Sequence, residues 1–491
     1  MDYMESISDR MAKRKRGSRR SNYQLIYLVA AALIVSVLLL TAFEISNRVM
    51  PSNYTKSTIM PHLSSTKQNF SAVQDIYQYD GGINHTYFVG VNLKPLNIDV
   101  NSAIIGTPTI YRGDLLVTTM GNLTFLDKFQ YDRTNGSVTA INLSTGRIVW
   151  RTYFPDQIMT QPIAYRNMIF VGMGNNAEVP NISDRNNGNG IFGLNFSTGK
   201  VSWGMKTLGP DMTTPGIYNG LLIEPNIGYF YIVKASSGLV EKSFPTNLPD
   251  TLSSPLIYGN NAYFGAGYVN TVNTKIYPTT IHRFSFFDYN ITSGDISWQD
   301  NFSMAGGGIN DVVPVVYRNL VITAYLDNST YANPIVVGLN RFNGSEVWSL
   351  NETAALNSVK QSNPEYANAG YNFTENSISP MVLYNGTVFA DSNYLGVLFA
   401  INATTGKVIW AFNTGQNEGA PNVFYGKYVI DMNDGGDLFV LGIRNGTLVN
   451  ELQTGMPHLA AQPVITNNYA LIAGMDGRVL YFNLDNITGR A

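Results

Sequence analysis

Cysteine is absent from all 491 residues. No disulfide, thiolate nucleophile or thiolate metal site can therefore be built, and packing and hydrogen bonds must hold the fold unaided. A secreted animal or plant protein of this size usually carries some cysteine, so the absence points to a prokaryotic source. Charge is sparse as well, at 13% of residues. The whole chain has 32 basic and 34 acidic residues; the first 22 hold seven of the basic and three of the acidic, so the remainder is acidic by six. A mildly acidic body without a basic cluster excludes nucleic-acid binding, which needs phosphate-neutralising charge on one face. Phosphate-cradling glycine loops, histidine-rich metal motifs and nucleophile elbows are missing too. What is plentiful is Tyr (30), Phe (24) and Gly (45), with much Asn, Ser and Thr. That mixture suits short strands and tight turns better than helices.

One long apolar run exists. From Tyr23 to Phe43 no residue is charged, and about 20 apolar residues suffice to cross a bilayer as a helix. Lys13, Arg14, Lys15, Arg16, Arg19 and Arg20 stand just before it, and positive charge stays on the cytoplasmic side. The run is longer than a signal-peptide core and lacks a small-residue cleavage site after it, so an uncleaved anchor is expected. Residues 1–22 then form a basic cytoplasmic tail, 23–43 a transmembrane anchor, and 44–86 a Ser/Thr/Asn-rich stalk, with 87–491 outside the cell. The 18 Asn-x-Ser/Thr acceptor sequences fit that placement. Candidates for glycosylation are Asn53, Asn69 and Asn84 in the stalk and Asn142, Asn195, Asn290, Asn343, Asn402, Asn445 and Asn486 in recurring turns.

Beyond residue 86 two elements alternate eight times. The first is a strand opened by proline, at Pro108, Pro162, Pro215, Pro255, Pro314, Pro380, Pro421 and Pro463. The second is a strand, a glycine turn and a further strand, with the glycine at Gly146, Gly199, Gly238, Gly294, Gly344, Gly406, Gly446 and Gly489. Each repeat thus holds four short strands, A to D, which is the signature of a propeller blade. All five tryptophans, Trp150, Trp203, Trp298, Trp348 and Trp410, stand four residues after a turn glycine, where a large aromatic serves as a wedge between blades. Lys242 and Asn450 replace it in blades 3 and 7, and looser contacts are expected there. The chain ends just after the eighth glycine turn, so blade 8 lacks its own strand D; the strand-rich segment from Tyr87 to Ile104 is the natural closing strand.

The run Ala-Ile-Asn-Ala-Thr-Thr-Gly-Lys-Val-Ile-Trp at 400–410 resembles the repeat of the pyrroloquinoline-quinone (PQQ) enzymes and of the non-enzymatic outer-membrane assembly propellers. The resemblance covers roughly residues 87–491 and implies an all-β, eight-bladed propeller of four-stranded blades behind one transmembrane helix. It also implies three functions. One is a binding or assembly scaffold in the envelope, recognising another envelope protein or a glycan; this is the expectation adopted, because propeller loops bind without any catalytic group. Another is a quinone-dependent dehydrogenase, whose relatives hold PQQ against a tryptophan and often a cysteine pair, with Ca²⁺ on carboxylates. The third is a cofactor-free extracytoplasmic hydrolase resembling the tetrathionate hydrolases.

In this connectivity the D-to-A and B-to-C loops share one face, the loop face, and the A-to-B and C-to-D turns the other, the turn face. Ahead of the prolines come Asp156, Asp211, Asp250, Asp311, Glu418 and His458. The five carboxylates form a candidate acidic ring at the channel mouth, able to bind Ca²⁺ or to supply an acid and a base, with Asp311, Glu418 and His458 as catalytic candidates. Acidic residues also cap loops and keep surfaces soluble. With no cysteine and every tryptophan placed as a wedge, no cofactor is expected, PQQ and Ca²⁺ are disfavoured, and no metal ligand is assigned.

Overall fold

The computed structural model describes residues 85 and 87–489, except 122–134, 175–188, 208–210, 227–228, 247–252, 269–280, 306–312, 327–332, 363–380, 393–394, 417–419 and 457–460. These residues build eight four-stranded antiparallel sheets. Blade 1 consists of Thr109–Tyr111, Asp114–Thr119, Ser137–Asn142 and Ile148–Tyr153, and blades 2 to 7 repeat that meander. No helix among the described residues is long and apolar enough to cross a membrane; the expected span at 23–43 lies outside them.

Local chemistry sets each strand's limits. Strand A begins after its proline, is three or four residues long in blades 1 to 7, and ends at a tyrosine. A two-residue turn follows, as in Arg112-Gly113 and Asn385-Gly386, with both residues at positive φ. This is the hairpin whose twist matches its flanking strands. Arginine in that conformation is strained, yet Arg112, Arg166 and Arg318 adopt it at φ 50°, 47° and 55°. Each guanidinium lies 5.0 Å from the ring centre of the preceding tyrosine, a cation–π contact that offsets part of the strain. At the C-to-D turns an asparagine supplies the cap: Asn142 Oδ1 accepts from the amides of Ser144 and Thr145, both at 3.1 Å.

Strands B and C are buried on both faces, whereas strand D is mostly exposed. The apolar core therefore lies between blades rather than within one. A register shift just before each turn, such as that between Ala140 and Ile141, twists strand D. The tryptophan then lies over the next blade. Trp150, Trp203, Trp298, Trp348 and Trp410 donate their indole N–H to the backbone carbonyls of Phe196 (2.7 Å), Ala235 (2.9 Å), Arg341 (2.9 Å), Ala403 (3.2 Å) and Ile443 (2.9 Å). Their rings cover the turn glycine of that blade, so tightly that a Cβ on Gly199 would overlap the Trp150 ring.

Lys242 and Asn450 are not simply gaps. Lys242 donates to the Gly294 carbonyl of blade 4. Asn450 Nδ2 donates to the Ile487 carbonyl at 3.0 Å. Ile487 belongs to α1 (Leu484–Ile487), which stands where the other blades have their C-to-D turn and is capped by Asn483. Both joints lose the ring but keep a hydrogen bond to the next blade's turn, made to a different carbonyl from the one the tryptophans use.

Blade 8 is completed from the other end of the chain. Ile98 pairs with Val479 and Asp99 with Arg478, so the short strand Ile98–Asp99 becomes its strand D. Leu96, just before it, packs on Gly146 of blade 1.

Candidate functional site

The closing segment does more than pair at the rim. Phe88 forms a parallel bridge with Ile465 in strand A of blade 8, flanked by Val89 N–H to Ile465 O (2.7 Å) and Ile465 N–H to Tyr87 O (3.1 Å). Strand A is the innermost strand of a blade, so His85 and residues 87–91 lie inside the ring, in its central channel. Tyr87 is 2% exposed, and its hydroxyl accepts from the Ile110 amide of blade 1 at 3.0 Å. His85 is fully buried and reaches blade 6, its Nδ1 lying 2.7 Å from the Met381 carbonyl oxygen. The segment enters at the loop face, runs beside blade 8 and leaves at the turn face, where Leu93 exchanges two hydrogen bonds with Asn468.

A polar network spreads from His85 under the loop face. Gln462 Nε2 donates to the carbonyls of His85 (2.8 Å) and Asn422 (3.1 Å). Asn422 Nδ2 donates to both oxygens of Asp391, at 3.2 and 3.1 Å. Asp391 in turn faces Asp431 of blade 7. Burial, reinforced by the Asp431 charge, holds the Asp391 carboxyl well above the usual range, and burial raises Asp431 likewise. Two adjoining carboxyls out of water cannot both ionise, so the pair holds at least one proton.

Blade 3 carries a second pair. Glu224, in the middle of strand B, faces Asp211 of the loop before that blade; burial raises both, and for Glu224 the Asp211 charge adds to it. Thr213 donates its hydroxyl to Glu224, and Asn226 and Thr207 lie beside Asp211. A fifth acid, Glu352, opens α2 (Glu352–Ser362) and is pushed up to about 7 by burial, opposed by the Ser392 hydroxyl donating to it at 2.6 Å. His85 moves the other way, down to about 4, because burial penalises its cation.

Of the candidate acidic ring, Asp156 and Asp211 are described, and both point inward. Asp156 is 4% exposed and caps its own loop, accepting from the Gln157 amide at 2.8 Å. Asp211 is 1% exposed beside Glu224. Asp250, Asp311, Glu418 and His458 lie outside the described residues, as do Asn53, Asn69 and Asn84. The turn asparagines all fall on the turn face: Asn343, Asn445 and Asn486 are exposed, while Asn142, Asn195, Asn290 and Asn402 are half-buried with Oδ1 engaged in the turn. No group of three or more His, Asp or Glu able to hold a metal exists among the described residues. Glu224, Glu352, Asp391, Asp431, Asn422, Gln462 and His85 went unnoticed in the sequence. Glu224, Asp391 and Asp431 carried a legible signal, an acid interrupting the apolar runs Leu-Leu-Ile-Glu, Val-Phe-Ala-Asp and Val-Ile-Asp.

A propeller of such blades, closed by its own first strand, is matched by one family model over residues 106–274 and 288–488. The chain belongs to the family of the outer membrane protein assembly factor BamB. BamB of Burkholderia pseudomallei is 23% identical over 358 residues, covering 71% of this chain and 80% of that protein. Tetrathionate hydrolase of Acidithiobacillus ferrooxidans is 23% identical over an alignment of 359 residues that covers 66% of this chain and only 64% of the hydrolase's length. Among solved structures, the quinohemoprotein alcohol dehydrogenase of Comamonas testosteroni superposes with a TM-score of 0.56 at 13% identity, over 83% of this chain and 80% of its own, a likeness of fold alone.

Proposed function

We propose that the chain is a membrane-anchored, extracytoplasmic propeller that works as a binding or assembly scaffold in the cell envelope. One observation carries this reading: His85 and residues 87–91 run along the inner strands of the ring and tie blades 1, 6 and 8 together, so that recognition is left to the two faces and the rim. Family membership with an assembly factor supports an envelope protein as the partner. The uncharged run 23–43 and the six basic residues before it support a single span with the N-terminus inside. If the turn face is glycosylated, the exposed Asn343, Asn445 and Asn486 are modified in preference to the four half-buried asparagines.

A quinone cofactor does not fit the residues present. All five indoles are committed to joints between blades and cysteine is absent, so neither the stacking ring nor the cysteine pair is available. No step through PQQ or Ca²⁺ is derived.

The hydrolase reading stands second, favoured by the tetrathionate hydrolase relative. A test separates the two. The full-length chain, carrying a photo-reactive residue at loop-face position Asn413 or turn-face position Asn445, is cross-linked in intact cells, and the purified chain is assayed for tetrathionate turnover. A scaffold gives one discrete adduct from one face and no turnover. Turnover without any adduct overturns it in favour of the hydrolase.

A further inference from the structure

Asp211, Glu224, Glu352, Asp391 and Asp431 are each 0–1% exposed, and none has a Lys or Arg partner among the described residues. The ion pairs Lys234–Glu241 and Arg478–Asp476 lie at the surface, where solvent makes them weak. Sealing five uncompensated carboxylates inside a fold is prohibitive, whereas five carboxylic acids are readily accommodated. We infer that the propeller is built for acidic surroundings: its interior holds these five carboxyls in the acid form, and the fold weakens as rising pH forces them to ionise.

The groups packed around each acid agree. Asp391 meets Asp431 and the Asn422 carboxamide; Glu224 meets Asp211 and the Thr213 hydroxyl; Glu352 meets the Ser392 hydroxyl. These neighbours are acids or neutral groups, so none of them stabilises a carboxylate as a cation would. Four of the five acids sit in facing pairs, and an acid proton is what lets each pair hydrogen-bond instead of repel.

The direction of the pH dependence follows. Folding raises each carboxyl above its ordinary 3.8 or 4.5, Glu352 to about 7 and the paired acids upward too, so their contribution is complete below about pH 4 and is lost as pH climbs through 7. His85 opposes it. Its ordinary value of 6.5 falls to about 4, so its contribution is present above pH 6.5 and is lost as pH drops towards 4. One imidazole works against five carboxyls, which leaves the balance on the acid side.

The test counts protons. Urea unfolding of the full-length chain is followed from pH 4 to pH 8, and proton release on unfolding is titrated at pH 6. Release of two or more protons per chain is expected, which makes unfolding roughly 100-fold more favourable per pH unit. Glu224→Gln and Asp391→Asn keep a hydrogen-bond donor in each pair but cannot ionise. Together they should lower the release by about two protons and raise the midpoint at pH 8 while leaving it nearly unchanged at pH 4. No release, or net uptake, by the wild-type chain overturns the inference even if the variants fail to fold. So does a folded double variant that retains the wild-type release.

Discussion

Five of the eight joints between blades are closed by tryptophan and three are not, and the difference separates what the repeat supplies from what must be improvised. At a tryptophan joint one side chain both covers the neighbour's glycine turn and donates to its backbone. At the joints after blades 3 and 7, Lys242 and Asn450 make the hydrogen bond without the apolar cover. The joint after blade 8 reverses this: Leu96 covers Gly146, and closure rests on the Ile98–Asp99 pairing with that blade's strand C. A hydrogen bond to a carbonyl in the neighbour's turn is thus common to seven joints, while ring packing is optional.

Mutations can break or sharpen this contrast. The largest loss is expected at the improvised closure: deleting residues 85–104 removes both the strand pairing and the filling of the channel, leaving blade 8 with an open edge. That chain should aggregate on expression, as judged by gel filtration, whereas deleting 44–80 should not. Trp203→Ala comes next, at about 3 kcal/mol, because the ring covers Gly238 and bonds to Ala235. Trp410→Ala should cost a similar amount, both read from urea midpoints. Asn450→Ala strands the Ile487 carbonyl and should cost about 1–2 kcal/mol. Lys242→Ala should be smallest, below about 1 kcal/mol, since its exposed partner carbonyl can turn to water. A Lys242 loss equal to that of Trp203 would erase the distinction between the two kinds of joint.

Most of the blade was legible in the sequence because its determinants repeat: proline before strand A, an asparagine-capped glycine turn, and tryptophan four residues on. Each acts over a few positions, so eight copies reinforce one another. The replacements at Lys242 and Asn450 were visible as departures, but their carbonyl partners lie 52 and 37 residues away and became apparent only in the fold. The interior of the loop face was harder still. His85 and Gln462 are separated by 377 residues, and the Asp391–Asp431 pair joins separate blades. No periodicity announces such meetings. Asp156 and Asp211 illustrate the same limit: loop position suggested a mouth-facing ring, whereas the backbone turns both side chains inward.

The central claim is that the chain occupies its own channel, and hydrogen exchange of the full-length protein tests it most directly. Val89 donates to Ile465 O, Ile465 donates to Tyr87 O, and Asn467 donates to Val91 O. These amides should exchange as slowly as those of the inner strands, opening only with the ring as a whole. A peptide spanning 85–91 that exchanges as fast as an unstructured chain, while Val464 and Ile465 stay protected, would contradict the account.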